Sequence, residues 1–186
     1  MKSNQDRTLG ICLVNVLWPD IIDFAKRCRE SSSIGGIKLH FDYENQSMQD
    51  PKFKAQLINL LDSLKDKLLF FLIHFDYHHK PLAEAKVLFD LASKYQKQNF
   101  IIAHAAEENF EVLAKIGNEF RANPGLRQNI YTEISTVFTV ERFFSLNSEK
   151  VIKAWREFGM KNVLFGSDIS NIKVFNCFRE VEAVWP

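Results

Sequence analysis

Residues 68–104 read LLFFLIHFDYHHKPLAEAKVLFDLASKYQKQNFIIAH, and this stretch decides the fold class. It opens on an unbroken apolar run that ends at His74, passes through a polar segment, and restarts at Pro81 with apolar residues at helical spacing. A second apolar run, begun at Phe100, ends at His104. A short continuous run of Ile, Leu and Phe is what a strand buried on both faces looks like, and such strands belong to parallel sheets covered by helices. Pro81 suits the first turn of a helix, where its missing N–H is not needed. The stretch is therefore one strand–helix–strand step of roughly 30 residues.

The same alternation extends in both directions. Apolar runs recur as ICLVNV from Ile11, GIKLHF from Gly36, NIYTEIS from Asn129 and NVLFGSD from Asn162. Between them, Asp50 and Pro51 supply an N-cap and a first-turn proline for KFKAQLINLLDSLKDK. Pro19 opens DIIDFAKRCRE, AEENFEVLAKIGNEFRA is amphipathic, Ser148 caps EKVIKAWREF, and Gly159 stands where a left-handed C-terminal cap is wanted. Strand-then-helix repetition predicts α/β architecture with right-handed crossovers and a parallel sheet, six strands in all. Alternation alone leaves barrel and open sheet undecided. No linker or low-complexity tract divides residues 1–186, so one domain is expected, with Asp42 to Asp50 as a loop after a strand. The 186 residues fall short of the ~250 typical of a complete eight-unit barrel.

Composition narrows the partners. The 24 Lys and Arg nearly cancel the 23 Asp and Glu, so no long-range field draws nucleic acid or an anionic membrane, and a small-molecule substrate is expected. No run reaches the ~18 apolar residues of a membrane span. The three cysteines, Cys12, Cys28 and Cys177, are odd in number and widely spaced, which reads as a reducing, cytoplasmic setting. The seven glycines yield no dinucleotide or phosphate-binding loop, and there is no GxSxG nucleophile elbow.

The chemistry stands where the strands end. Each of the last four runs is apolar until its exit, near His74, His104, Ser135 and Asp168, and the exit is where barrel and open-sheet enzymes build their sites. Two histidines and an aspartate from three strands match a metal-ligand set in type and number; neutral imidazole and carboxylate suit zinc and its neighbours. The plainer reading makes each histidine a hydrogen-bonded core residue and Asp168 a cap. Lys38 and His40 share one face of their strand, and an inward Lys is costly unless it meets an anion. His78 and His79 read as a solvated loop.

In this order and spacing, GIKLHF, FFLIHF, FIIAHA, NIYTEIS and NVLFGSDIS resemble strands four to eight of the amidohydrolase-related branch of the amidohydrolase superfamily. That branch comprises TIM-barrel metal hydrolases and the aminocarboxymuconate-semialdehyde decarboxylase group. RTLGICLVNV resembles the approach to and body of strand three. The resemblance implies a (β/α) TIM-type barrel, incomplete, with about six of eight units, partial at the N-terminus and at the C-terminus. It makes His74 a metal ligand, Asp168 a ligand and general base, and His104 a ligand or the histidine that orients a metal-bound water. A divalent metal, zinc by expectation, is the implied cofactor; Lys38 and His40, from their place at the strand end rather than from the resemblance, are expected to bind substrate.

One departure from the pattern matters. The family's HxH motif lies on strand one, whereas the first histidine here is His40, with no histidine two residues on. Metal-dependent hydrolysis of a C–N or C–O bond is thus the leading expectation, non-oxidative decarboxylation an alternative on the same fold, and a non-catalytic remnant the alternative of another class. With fewer ligands the metal should bind weakly or not at all, and activity of this chain should be weak or silent. Open sheet edges leave room for a homo-oligomer.

Overall fold

The computed structural model describes residues 10–31, 34–41, 46–66, 70–74, 81–106, 109–134 and 148–165. Strands β1 (Gly10–Val14), β2 (Ile34–His40), β3 (Phe70–His74), β4 (Asn99–Ile102), β5 (Ile130–Glu133) and β6 (Val163–Leu164) alternate with helices. The helices are α1 (Ile21–Glu30), α2 (Pro51–Leu64), α3 (Pro81–Lys94), α4 (Glu111–Ala122) and α5 (Ser148–Phe158). All strand pairs are parallel and follow chain order, β1-β2-β3-β4-β5-β6. A doubly wound sheet would reverse its order in the middle, so the question left open by the sequence resolves to an incomplete (β/α) barrel.

Side-chain alternation sorts the sheet into two faces. Phe71, Ile73, Phe100, Ile102, Ile130 and Thr132 lie under the helices and are all but inaccessible, at 0–1% exposed. In the same layer Phe41, just past β2, meets Phe53 of α2 edge-on at 5.0 Å, and Phe89 of α3 meets Phe120 of α4 at 5.1 Å. The other face carries Leu13, Lys38, Leu72, Ile101 and Tyr131 in one register row, with His40 and His74 paired one row higher. It is more open: Leu13 is 54% exposed and Ile11 41%.

Local signals explain the element starts. The carboxylate of Asp50 accepts from the Phe53 N–H at 2.7 Å, and Pro51 occupies the first turn of α2, as expected. Helix α4 begins at Glu111, later than the amphipathic pattern from Ala106 predicts, and Ala106 itself has a positive φ that keeps it out of a right-handed helix. Gly159 does follow α5 with a positive φ of 113°, yet its ψ of 106° is not that of a left-handed cap. Cys12 on β1 and Cys28 on α1 form a disulfide with Cα atoms 6.4 Å apart. The wide spacing of the cysteines does not predict this pair, and a disulfide is at odds with the reducing setting expected from their odd number. None of the described helices is long and apolar enough to cross a membrane.

At the N-terminal end of the strands, buried amides tie each unit to the one before. Gln98 donates to the Leu64 carbonyl at 3.0 Å, and Asn162 donates to Ile130 at 2.8 Å. Asn129, fully buried, donates to the carbonyls of Ala92, Tyr95 and Gln98 at 3.1, 3.2 and 2.9 Å. These carbonyls end helix α3 and the turn after it, where intrahelical donors have run out.

Helices α4 and α5 touch at Gly117. A Cβ there would fall inside contact distance of the Glu157 carbonyl and 2.6 Å from Phe158 Cα, both main-chain atoms. Gly117→Ala should therefore lower stability by about 1–3 kcal/mol, the cost of overpacking, although alanine is the better helix former by ~1 kcal/mol. Urea denaturation would show it as a lower midpoint at unchanged slope; a midpoint equal to or above wild type would refute the close contact.

Candidate active site at the C-terminal mouth

Register places the histidines. His40 ends β2 and His74 ends β3, directly opposite each other, and their rings stack at 4.2 Å with an interplanar angle of 13°. Both follow the inner-face residues Lys38 and Leu72 by two positions, so alternation alone delivers them to the mouth.

His104 arrives by another route. Alternation would set it on the same side as Ile102, and Ile102 faces the helices with 0% exposure. Instead the chain leaves β4 through three consecutive positive-φ residues, His104 (φ 53°), Ala105 (51°) and Ala106 (61°). Each costs about 1–2 kcal/mol for a residue with a Cβ. The turn brings the imidazole of His104 edge-to-face against His74, with centroids 5.0 Å apart. Opposite, Glu133 at the end of β5 accepts from the His104 main-chain N–H at 2.7 Å, and the same carboxylate oxygen lies 3.2 Å from Nδ1.

The expected residues thus separate into two groups. His40, His74 and His104 come together, with Lys38 on the same inner face one row below His40. Asp168, Ser135, His78, His79 and Cys177 lie outside the described residues. Glu133 is a further member of the site, which its place in NIYTEIS does not reveal. Glu84, a buried carboxylate on α3, was missed as well: it accepts from the Ser47 hydroxyl and, at 3.0 Å, from the Met48 N–H, anchoring the segment after β2. Gln46 in that segment donates to Asn15 beyond β1 at 2.9 Å. The sequence signal for Glu84 was slight, an acid in the first turn of a helix; its burial depends on packing.

The donor chemistry fits a metal only in part. Imidazoles from adjacent strands are suitable ligands, and the Glu133 contact at Nδ1 is the arrangement that orients a ligating histidine through its other nitrogen. Among the described residues, however, no group of three His, Cys, Asp or Glu side chains is arranged to hold a metal ion.

With this geometry in view, solved structures supply the comparison. The chain superposes on 5-carboxyvanillate decarboxylase from Sphingomonas paucimobilis with a TM-score of 0.60 and 11% identity, covering 96% of this chain and 61% of that one. Its fold is shared with amidohydrolases. A zinc-bound amidohydrolase from Burkholderia multivorans matches with a TM-score of 0.56 and 14% identity, over 95% of this chain and 65% of that one. Dihydroorotase from Campylobacter jejuni matches at 0.51 and 17%, over 86% and 50%. The chain therefore spans about three fifths of the length of the first of these, and at such identities the likeness establishes the fold. No protein-family profile matches the sequence, and no curated protein does.

The electrostatics of the mouth are read at His40. Burial pushes its pKa below the ordinary 6.5, and the nearby charges of Lys38 and His104 push the same way. A proton is then held more weakly in the folded than in the unfolded chain. Stability contributed by neutral His40 is complete above 6.5 and is lost as pH falls from there through the folded value. Between about pH 7.5 and about pH 5.5, wild type should lose more stability in urea than His40→Gln. Parallel losses in the two proteins would show that His40 is not the group responsible.

Proposed function

We propose that the chain carries residues of a metal-dependent hydrolase site of the amidohydrolase type. The observation that supports this most is the return of His104 to His74 through a left-handed turn: three strained residues set one imidazole against another at the strand ends of a (β/α) barrel. Strain of this kind concentrates at functional sites. The fold neighbours include an amidohydrolase with bound zinc and a manganese complex of a decarboxylase, which supports a divalent metal, with zinc preferred.

In this reading His74 is a metal ligand, Asp168 a ligand and general base, and His104 a further ligand or the histidine that orients water. A divalent metal supplies Lewis acidity and a water of lowered pKa. The chain's own side chains do the rest. Asp168 takes the proton from the attacking water, and His104, held by Glu133, fixes the direction of that water's hydrogen bond. Lys38 and His40 face the same opening and orient an anionic group of a small-molecule substrate.

A second reading, non-oxidative decarboxylation, is favoured by Lys38. It stands on the inner face between Leu13 and Leu72, and among the described residues no carboxylate pairs with it. A substrate carboxylate would satisfy it.

The test is metal analysis of the purified chain, followed by turnover of amides, esters, lactones and aromatic carboxylates with added zinc or manganese. His74→Ala and Asp168→Ala serve as controls. The expected result is weak metal binding that both substitutions reduce further, and turnover near the detection limit. Product from the carboxylates alone would favour the decarboxylase. Absence of both metal and turnover would overturn the enzyme reading in favour of a non-catalytic remnant. Strong turnover unaffected by the substitutions would move the site elsewhere.

A further inference from the structure

We infer that Glu133 is a positioning residue: it holds His104 as the Nδ1–H tautomer and pins the left-handed turn that carries it. The functional weight of this inference rests on the proposed role of His104 at the mouth; its structural content does not.

The geometry begins with one oxygen. Glu133 Oε1 accepts the main-chain N–H of His104 at 2.7 Å and stands 3.2 Å from the Nδ1 of the same residue. A carboxylate is acceptor-only, whereas a neutral imidazole carries a hydrogen on one nitrogen and a lone pair on the other. An oxygen already serving as an acceptor for the main chain can keep Nδ1 at that distance only if Nδ1 carries the hydrogen. The lone pair is then left on Nε2, the nitrogen on the far side of the ring from Glu133. In the neutral ring that nitrogen is the acceptor.

The main-chain contact serves the same end. Without support, three successive non-glycine residues at positive φ would relax into extended or right-handed backbone. Ala105 and Ala106 are held by burial, at 2% and 0% exposed. His104 opens the turn, and its N–H is fixed from a neighbouring strand rather than from its own segment. Glu133 reaches it because Tyr131 and Glu133 lie on the inner face of β5, in register with Ile101 through Tyr131. Moving the carboxylate one residue either way would put it among the helices.

The experiment uses the full 186-residue chain, labelled with ¹⁵N-histidine and treated with a chelator. Ring nitrogens are read by long-range ¹H–¹⁵N correlation at about pH 8.5, where imidazoles are neutral. The His104 signals are assigned by their disappearance in His104→Gln. Wild type should show a protonated Nδ1 and a bare Nε2. Glu133→Gln, whose amide oxygen still accepts, should keep that pattern. Glu133→Leu, of similar volume and with no acceptor, should move the hydrogen to Nε2, the form a solvated imidazole favours. A wild-type ring protonated at Nε2 would overturn the inference, and so would a folded Glu133→Leu protein that kept Nδ1–H. If Glu133→Leu fails to fold, the wild-type spectrum alone still decides. The readout needs neither metal nor substrate, so failure of the hydrolase reading would leave it intact, and the reverse holds too.

Discussion

The parallel register between β2 and β3 is the constraint on which the mouth depends. Pairing His40 with His74 is not a property of either residue; it follows from Gly36 lying opposite Phe70 and every later pair keeping step. Gly36 itself permits that start, since a Cβ there would come within 2.6 Å of the Phe70 ring. A slip of β3 by one residue would send His74 into the helical layer and bring Phe71 out of it, and a slip of β2 would do the same to His40 and Leu39. Burial of those apolar residues, each at or below 1% exposure, is what forbids the slip. The placement of polar groups at the site is thus enforced by apolar groups that never touch it.

Much of this was legible in the sequence. The apolar runs located the six described strands, and the end of β3 at His74 was legible, whereas β4 stops at Ile102 and His104 lies in the turn beyond it. Asp50 with Pro51 fixed the start of α2, because a cap needs only local chemistry. What could not be read was whatever required a partner distant in sequence. Cys12 and Cys28 are 16 residues apart, and only the packing of α1 against β1 shows that they meet. Glu84 reads as one more charged residue on an amphipathic helix until Ser47 and Met48 are placed above it. For His104 the alternation rule put it beside Ile102, a position under the helices. The expected meeting with His74 does occur, but it is the left-handed turn that brings it about.

That turn also shows how a site and a fold can make opposing demands. The sheet asks residue 104 to point outward; the mouth asks it to point inward. Alanines at 105 and 106 are small enough to be buried in a conformation that branched side chains would resist. Nothing comparable is needed at His40 or His74, where both demands agree.

The buried amides of Gln98, Asn129 and Asn162 carry a consequence of a different order. They fasten the strands at the end opposite the histidines, using main-chain carbonyls that exist whatever side chains surround them. The fold is thereby insured at one pole while the other is free to vary. A lineage could exchange His40, His74 or His104, acquire a new substrate or abandon chemistry altogether, and still inherit a barrel wall that folds. At 11% identity the likeness to the solved decarboxylase is one of architecture alone.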